Sequence, residues 1–384
     1  MDGLYPTATG ELALVLGELN ALTASNLSDA VRSLSPQSYQ TLTTLGMSNL
    51  AGFSQRIFSQ MARTRSGHRG ILAATPDQTQ SSVRWGALTA EAGTADSGWG
   101  EGLDDPFYVP EKKWGIFVTG DGMYASLPGD ADVASGNLVS GGVTTGVDYR
   151  FSPRWSFGLG LGYALSNGDT GSGEMKIDGK NLTPALYGSF DAYRFYVDGL
   201  LAFQNGSYTS KRTVVYGSQT KLAEANPTSR AYAAGVEAGL PIRRGSWDVV
   251  PLAGLQMSQE TVNGFEETGA GAVSLAVGEE KQESLSSQMG VRVQKRLTND
   301  SRDRFEVRSA WRHEYKGETT IDASFVGVGG RFSITGSDPQ KDSLQVGGDV
   351  SGGFTENLSW VFSYDGDMGG VVAHRVHGGV RFQF

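Results

Sequence analysis

The sequence has no cysteine among its 384 residues. This absence excludes disulfide cross-links, thiolate nucleophiles and cysteine-ligated zinc. The sequence also lacks any apolar run whose length approaches the roughly 20 residues that a membrane-spanning helix needs. The start, MDGLYPTATG, has no basic segment followed by an apolar core, so we expect no signal peptide here. A formal net charge of −9 and a pI near 5.1 argue against a nucleic-acid partner, which favours a basic surface.

Residues that carry chemistry are also scarce. The sequence contains no GxSxG, HExxH or Walker motif, and its acidic pairs at 104–105 and 365–367 lack calcium-loop spacing. The only histidines are His68, His313, His374 and His377. The last two are three residues apart on a predicted strand and face opposite ways, which disfavours a shared metal. We therefore predict no catalytic residue, no metal site and no cofactor.

Glycine and alternating apolar residues are what the sequence has in excess. Its 54 glycines are about twice the usual share. Residues 155–166, WSFGLGLGYALS, place a large apolar residue at every odd position and a very small residue at every even one. Side chains alternate across a strand, so one face of this segment is bulky and the other nearly bare. We predict that the bulky face meets lipid: Trp155, Phe157, Leu159, Leu161, Tyr163 and Leu165.

Similar alternation recurs along the chain from residue 114 to its end and predicts twelve strands. They fall near 114–124, 138–151, 154–166, 179–191, 193–207, 228–241, 245–259, 284–297, 303–316, 342–353, 357–366 and 373–384.

Short and long connections alternate strictly between these strands. The short ones, such as SPR at 152–154, contrast with polar excursions as long as 317–341. Outer-membrane barrels have short periplasmic turns and longer extracellular loops, whereas a soluble sandwich has no reason to sort its loops this way. In lipid every backbone polar group must be paired, so the sheet must close. The predicted fold is an all-β, twelve-stranded antiparallel transmembrane β-barrel in the bacterial outer membrane, in contact with its lipid.

The opposite parity of the strands carries charges that we predict to face the barrel lumen. We interpret them as a hydrated wall that holds a helix by paired charges, with one or two arginines bonding a helix carboxylate or C-terminal carbonyl. The predicted lumen set is Asp148, Arg150, Arg194, Asp198, Arg292, Arg304, Glu306, Arg308, Arg312, Arg375 and Arg381.

The N-terminal part supplies a helix for that lumen. Residues 36–63 show apolar residues at helical spacing, and Ser35 and Pro36 form a helix start. Twenty-eight helical residues would extend roughly 42 Å, enough to cross a membrane core of about 30 Å. Shorter helices are predicted over 12–22 and 27–34, for which a bundle outside the membrane is an equally good interpretation.

We divide the chain into a helical linker at 1–65, an irregular linker at 66–113 and a barrel at 114–384. Glycine, aspartate and threonine without periodicity characterise the second segment. Part of it, instead of the helix, could occupy the lumen.

Several segments together resemble one known family. WGIFVTGDGMY at 114–124, VTTGVDYRFSPRWSFGLGLGYALS at 143–166, WRHEY at 311–315 and VHGGVRFQF at 376–384 look like an autotransporter β-domain, the translocator of type V secretion. LSPQSYQTL at 34–42 and GFSQRIFSQMARTR at 52–65 are similar to the helical linker before such barrels. The resemblance implies a helix threaded through the barrel and an N-terminal passenger carried across the outer membrane.

The resemblance also bears on the two ends of the chain. It implies that the β-barrel assembly machinery recognises the C-terminal aromatic signal, which comprises Phe384, Phe382, Val380 and Val376. At the front we expect a fragment or an incomplete start, because the family's signal peptide and passenger are missing from this sequence. Some relatives cut their own passenger beside an asparagine, but the linker has no Asn-Asn pair, so we predict no self-cleavage.

Two alternatives stay open on the sequence alone. A passive outer-membrane porin would share the alternation and the loop asymmetry but would not need residues 36–63. A barrel enzyme would need a nucleophile and a base, which the sequence does not offer. The nature of the passenger is open as well, since adhesin, protease and esterase passengers are all carried by barrels of this type.

Overall fold

A computed structural model describes residues 10–73, 112–129, 135–170, 174–192, 194–297, 303–317, 320–326, 331–335 and 340–384, with the backbone alone over 66–73 and at Leu12. Most of the predicted 66–113 linker, with its acidic pair at 104–105, lies outside the described residues.

Twelve long antiparallel strands form one closed barrel, which confirms the predicted fold class. Each strand pairs with the next, and the last pairs with the first, for example Ile116 with Phe382. The strands are β1 (Trp114–Leu127), β2 (Gly136–Arg150), β3 (Trp155–Thr170), β4 (Met175–Asp191), β5 (Tyr196–Tyr216), β6 (Thr228–Gly239), β7 (Trp247–Val262), β8 (Glu280–Arg296), β9 (Arg304–Glu314), β10 (Asp342–Gly353), β11 (Leu358–Met368) and β12 (Val372–Gln383).

The connections sort onto two ends, as the sequence predicts. At the turn end, where β1 begins and β12 ends, short connections join the strands, and Ile242–Arg244 forms a small hairpin with β7. At the loop end the strand Gln219–Ala225 extends β5 beyond the barrel. A separate small sheet also lies in the loops there, built from Phe265–Glu266, Leu275–Val277, Thr320–Phe325 and Arg331–Thr335.

Three α-helices precede the barrel: α1 (Glu11–Asn20), α2 (Ala24–Leu34) and α3 (Gln40–Ala73). A 3-10 turn, Pro36–Tyr39, leads into α3, and the Ser35 hydroxyl accepts a hydrogen bond from the Gln37 backbone N–H at 3.2 Å. The helix predicted at 36–63 therefore begins with this turn and continues to Ala73. Within the part of the chain that the structure describes, no helix has both the length and the apolar character needed to span a membrane.

The two faces of β3 carry side chains of different size, large on the outside and very small on the inside. Its six bulky side chains are all exposed on the outside of the barrel, from 44% at Trp155 to 59% at Leu159. At the turn end aromatic rings meet between strands: Trp155 lies 4.6 Å from Phe190 and Trp114 lies 4.7 Å from Tyr149, centroid to centroid. Aromatic girdles at the edges of an apolar band are typical of outer-membrane barrels.

Arg194 is the exception among the residues assigned to the lumen, and that assignment was wrong. We predicted a strand from residue 193, but β5 begins at Tyr196. The Ala192 N–H bonds the Phe195 carbonyl at 2.9 Å and closes a turn that leaves Arg194 exposed. The rest of that set lies on the inward parity of the strands, from fully buried Asp198 to half-buried Arg150 at the end of β2.

The end of the chain closes the barrel. Trp114 and Phe384 exchange two backbone hydrogen bonds of 2.9 and 3.0 Å. The side chains of Phe384, Phe382, Val380 and Val376 are all exposed on the outer surface, and the two phenylalanine rings stack at 5.8 Å.

Candidate functional site: the occupied lumen

Helix α3 lies inside the barrel and runs from the loop end to the turn end. Near the loop end its residues Leu42 and Leu45 are fully buried in one cluster with Leu138 of β2 and Met175 of β4. Farther along the helix, Arg65 reaches Asp198 near the start of β5. The N-terminal end of α3 therefore faces the side of the long loops.

The middle of α3 presents an apolar ridge to one wall of the barrel. Leu50, Phe53, Ile57 and Met61 are all buried there. Opposite them lie the rings and small side chains of β4 to β6, with Phe117 of β1: Tyr187, Ala185, Leu200, Ala202, Ala231 and Ala233. The amphipathic pattern of the sequence thus becomes a packed contact within the lumen instead of a contact with lipid.

The bare face of β3 makes room for this helix. A Cβ atom built on Gly162 would lie 2.6 Å from the Phe53 ring, and one on Gly160 would lie 3.1 Å from the Ile57 terminal methyl. The third glycine of the row, Gly158, faces the Tyr187 ring, which a Cβ would meet at 2.2 Å. Glycine is needed at these positions because helix and ring side chains fill the space where a side chain would be.

Ion pairs and hydrogen bonds fasten α3 to the wall along its length. Arg56 pairs with Asp121 of β1 at 3.1 Å and donates from Nε to the Thr144 hydroxyl at 3.1 Å. Arg65 pairs with Asp198 at 2.6 Å, and its guanidinium carbon lies 3.4 Å from the centroid of the Tyr196 ring.

In these ion pairs the positive charge lies on the helix and the negative charge on the wall, which corrects one expectation. We expected one or two wall arginines to bond a carboxylate or a C-terminal carbonyl of the helix. The carboxylate is excluded, because residues 36–65 contain no acidic residue. The cations belong to the helix and the carboxylates to the wall. Asp121 has the same inward parity on β1 as the predicted lumen residues but was left out of that set.

The loop-end part of α3 lies over two buried carboxyl groups. A Cβ on Gly46 would fall 2.0 Å from Oε1 of Glu260, so only glycine lets the helix approach this side chain. Ser229 donates to the same oxygen at 2.7 Å, and Thr43 donates to Glu280 at 3.1 Å. Gln204 fixes the helix backbone by donating to the Gly46 carbonyl at 3.1 Å.

The opposite wall pairs most of its charges within itself, and Arg63 of α3 lies within electrostatic reach of Asp349 and Glu306. Arg308 is the centre of that network and pairs with Glu306 at 3.1 Å, Asp349 at 3.0 Å and Asp365 at 2.6 Å. Arg292 pairs with Glu306 at 3.2 Å, and Arg381 pairs with Asp148 across the seam of the barrel. Buried carboxylates and guanidinium groups are thus paired with one another, which removes most of the cost of burying them.

The helix is off centre, and space remains beside it. It packs mainly on β2 to β7. On its other side a cavity of about 580 Å³ opens from the loop end and is lined by Thr44 and Ser48 of α3 and by Arg312 and Arg375 of the wall. Smaller cavities of about 100 and 110 Å³ follow deeper in the barrel. Arginine and hydroxyl side chains in the cavity lining provide partners for water, so the lumen is filled by the helix but not sealed.

A buried cluster at the loop end holds the segment before α3. Glu267 accepts hydrogen bonds from the Tyr39 hydroxyl at 2.6 Å, from Arg212 at 2.6 and 2.7 Å, and from the Leu275 N–H at 2.7 Å. Arg212 also donates to the Ser33 carbonyl at the end of α2. Burial and the neighbouring Glu267 raise the pKa of Tyr39, so its hydroxyl remains a donor. The loop, the strand and the helical segment are therefore joined at one carboxylate.

The described histidines do not assemble a metal site. His313 lies beside Trp311 on the outer surface, and both donate to Asp342 at 2.9 Å, an arrangement in which the His313 ring N acts as donor. His374 bonds Tyr364 outside the barrel at 2.8 Å, while His377 is buried inside. Among the described residues, no group of three or more histidine, aspartate or glutamate side chains is placed to hold a metal ion.

Comparisons with known proteins agree with this geometry. The family model described as autotransporter beta-domain matches residues 116–365. Among solved structures, the translocator domain of the autotransporter NalP from Neisseria meningitidis superposes with a TM-score of 0.59 and 15% identity, covering 74% of this chain and 91% of that one. The transport unit of the Escherichia coli autotransporter AIDA-I superposes with a TM-score of 0.52 and 12% identity, covering 84% and 98%.

Two curated relatives match in sequence. Both are called Esterase EstA, one from Pseudomonas aeruginosa and one from Pseudomonas putida, and each is 23% identical over 254 residues. The match covers 64% of this chain but only 38% of each relative, so the chain spans less than half of their length. The family model covers well over half of this chain, and the fold agrees with it. The chain therefore belongs to the autotransporter β-domain family, the outer-membrane translocator barrels of type V secretion.

Proposed function

We propose that α3 is the trailing end of an exported passenger and remains in the barrel after export. The observation that carries this proposal is the direction of α3: its N-terminal end lies at the loop end, which in outer-membrane barrels is extracellular. Polypeptide before α3 therefore emerges outside the cell. A passive diffusion porin would need an open lumen, whereas apolar contacts and ion pairs hold α3 in this one.

The same proposal gives each segment of the chain a role. Residues 1–65 are the passenger junction and pore segment, 66–113 are an irregular linker, and 114–384 are the barrel. The Glu267 cluster supports this division, because it holds α2 and the turn before α3 against the extracellular loops.

We further propose that the barrel itself catalyses no reaction and that any enzymatic activity belongs to the passenger. The names of the two Pseudomonas relatives describe whole proteins of which the matched region is 38%. An esterase passenger is thus one candidate for the complete protein. Purified, refolded 1–384 should leave ester, peptide and phospholipid substrates unchanged, and turnover of any of them would place chemistry in the barrel region.

We propose the β-barrel assembly machinery as a partner that recognises the exposed C-terminal strand. The test is a Phe384→Ser variant with Phe354→Ser as its matched control, since both rings are exposed near the turn end, by 51% and 65%. Loss of folded barrel from outer-membrane fractions only in Phe384→Ser supports the signal. Equal amounts of folded barrel in the two variants contradict it.

Export is tested by an epitope tag. A signal peptide followed by the tag is placed before Gly10, and protease is added to intact Gram-negative cells. The expected result is a tag that external protease removes while the barrel stays intact. A tag that is protected until the outer membrane is opened would place the N-terminal end of α3 in the periplasm and refute the proposed direction.

A further inference from the structure

The outer surface of the barrel changes abruptly from apolar to basic on two strands near the loop end. On β4 the outward side chain after Leu182 is Lys180, followed by Asp178 and Lys176. On β6 the outward side chain after Tyr232 is Arg230. Each cation is thus the first outward residue beyond the apolar band on its strand.

Strand register brings these cations onto one surface, which we call the outer basic patch: Lys176, Lys180, Lys211 and Arg230. Lys176 pairs in register with Lys211 of β5. Lys180 lies opposite Ser207 of β5, and Ser207 lies opposite Thr228 of β6. Arg230 follows two residues after Thr228 on the same strand. With strands about 4.8 Å apart and about 3.3 Å per residue, the Lys180 and Arg230 Cα atoms are roughly 12 Å apart.

Three carboxylates lie among these four cations: Asp169 of β3 is opposite Lys176 in register, Asp178 lies between Lys176 and Lys180, and Glu224 is beside Lys211. Lys211 pairs with Glu224 at 3.3 Å, and Asp178 accepts a hydrogen bond from the Asn167 amide. Within the described ranges, Lys176, Lys180 and Arg230 form no ion pair. All three side chains are exposed.

Three other strands carry different residues at this level of the loop-end rim. Beyond the apolar band, β10 carries Asp342 after Leu344, β12 carries His374 after Val376, and β3 carries Asn167 after Leu165. Lys281 of β8 is exposed on the outward face as well and lies opposite Thr261 of β7, which itself lies opposite Arg230. The exposed cations of the rim therefore extend from β4 to β8 in the part of the rim that the structure describes.

An apolar shelf lies directly below the patch. Leu165, Leu182 and Tyr232 are exposed by 51%, 44% and 56%, and the Tyr232 ring lies 5.1 Å from that of Phe203. A molecule that fits this surface has acyl chains to lie on the shelf and an anionic group at the height of the cations.

We propose that the outer basic patch binds the phosphate groups of an anionic lipid of the outer leaflet, with lipid A as the partner of matching chemistry. Basic residues at a membrane surface attract anionic head groups, and the attraction adds up with the number of cations near the surface. The Cα separation of Lys180 and Arg230 lets two side chains engage one head group from opposite sides. The lipid then packs its chains on Leu165, Leu182 and Tyr232.

The test measures lipid A binding to purified, refolded 1–384 in zwitterionic detergent by native mass spectrometry. The variant K176Q/K180Q/R230Q removes the three cations of the outer basic patch that form no ion pair. The control R194Q/R243Q/R244Q removes three exposed arginines at the turn end. We expect binding to weaken by roughly tenfold or more in the first variant and to stay unchanged in the control. Heat-modifiable migration on gels verifies that each barrel is folded.

Two further measurements complete the test. Inorganic phosphate at the same phosphate concentration should not displace lipid A, because the chains contribute to binding. Asp178→Asn, which removes the one carboxylate between Lys176 and Lys180, should tighten binding, and it decides the matter if the triple variant fails to fold. Unchanged binding in the triple variant, equal loss in the control, displacement by inorganic phosphate, or no gain in Asp178→Asn would each overturn the proposal.

Discussion

Replacing Gly162 by alanine should destabilise the barrel because α3 occupies the space of the new methyl group. The Cβ would lie 2.6 Å from Cδ2 and 2.8 Å from Cε2 of Phe53, well inside carbon contact distance. Phe53 is buried in the apolar ridge and cannot leave without breaking its other contacts. Overpacking of this kind typically costs about 1–3 kcal/mol of unfolding free energy.

The assay is equilibrium unfolding in denaturant of barrels refolded into lipid vesicles, followed by tryptophan fluorescence. Gly120→Ala on β1 is the control, because no atom lies within 4 Å of its added Cβ. The cost of Gly162→Ala should largely disappear in a Phe53→Ala background, since the clashing ring is gone. An equal cost in both backgrounds, or an equal cost for Gly120→Ala, would refute the claim that the glycine face exists to receive the helix.

Three other perturbations give quantitative tests by the same unfolding assay or by proteolysis. Leu159→Arg, on the outer face near the middle of the membrane, should lower the free energy of unfolding by roughly 2–4 kcal/mol. Unchanged stability would mean that the lipid-facing and lumen-facing sides of the strand are assigned wrongly. Arg65→Ala leaves Asp198 buried without its cation and should lower the free energy of unfolding by about 3–5 kcal/mol. The double variant with Asp198→Ala should lose less than the sum of the losses in the two single variants. Tyr39→Phe removes one hydrogen-bond donor to Glu267 and should lower local stability by about 1–3 kcal/mol. External protease should then cleave the 263–279 loop faster. An unchanged cleavage rate would show that this hydrogen bond does not hold the loop.

The barrel could be predicted from the sequence because its rules are local. Alternation along each strand and the sorting of loop lengths depend only on residues near one another in the chain. The strand bounds agree with the predicted ones within four residues, except that β5 continues to Tyr216, nine residues beyond its predicted end at 207. Errors fall where a turn competes with a strand. The backbone hydrogen bond between Ala192 and Phe195 closes a turn that exposes Arg194 to solvent instead of placing it on the barrel wall. No periodicity in the sequence indicates such a hydrogen bond.

The contents of the lumen were less predictable, because contacts across it join residues far apart in sequence. The glycine row on β3 signalled that something would lie close to that wall, but nothing in it selects Phe53 and Ile57 as the partners. The charges were harder still. Arg56 and Asp121 are separated by 65 positions, and only the fold shows that the helix supplies the cation. The off-centre position of α3 also depends on packing and not on any motif.

Single-channel conductance in planar bilayers tests most directly whether α3 fills the barrel. The chain 1–384 should conduct only weakly, through the narrow space beside the helix. A variant that lacks residues 1–110 should show a conductance several times larger, because the lumen is then open from end to end. Equal conductance of the two proteins would contradict a barrel occupied by its own N-terminal helix.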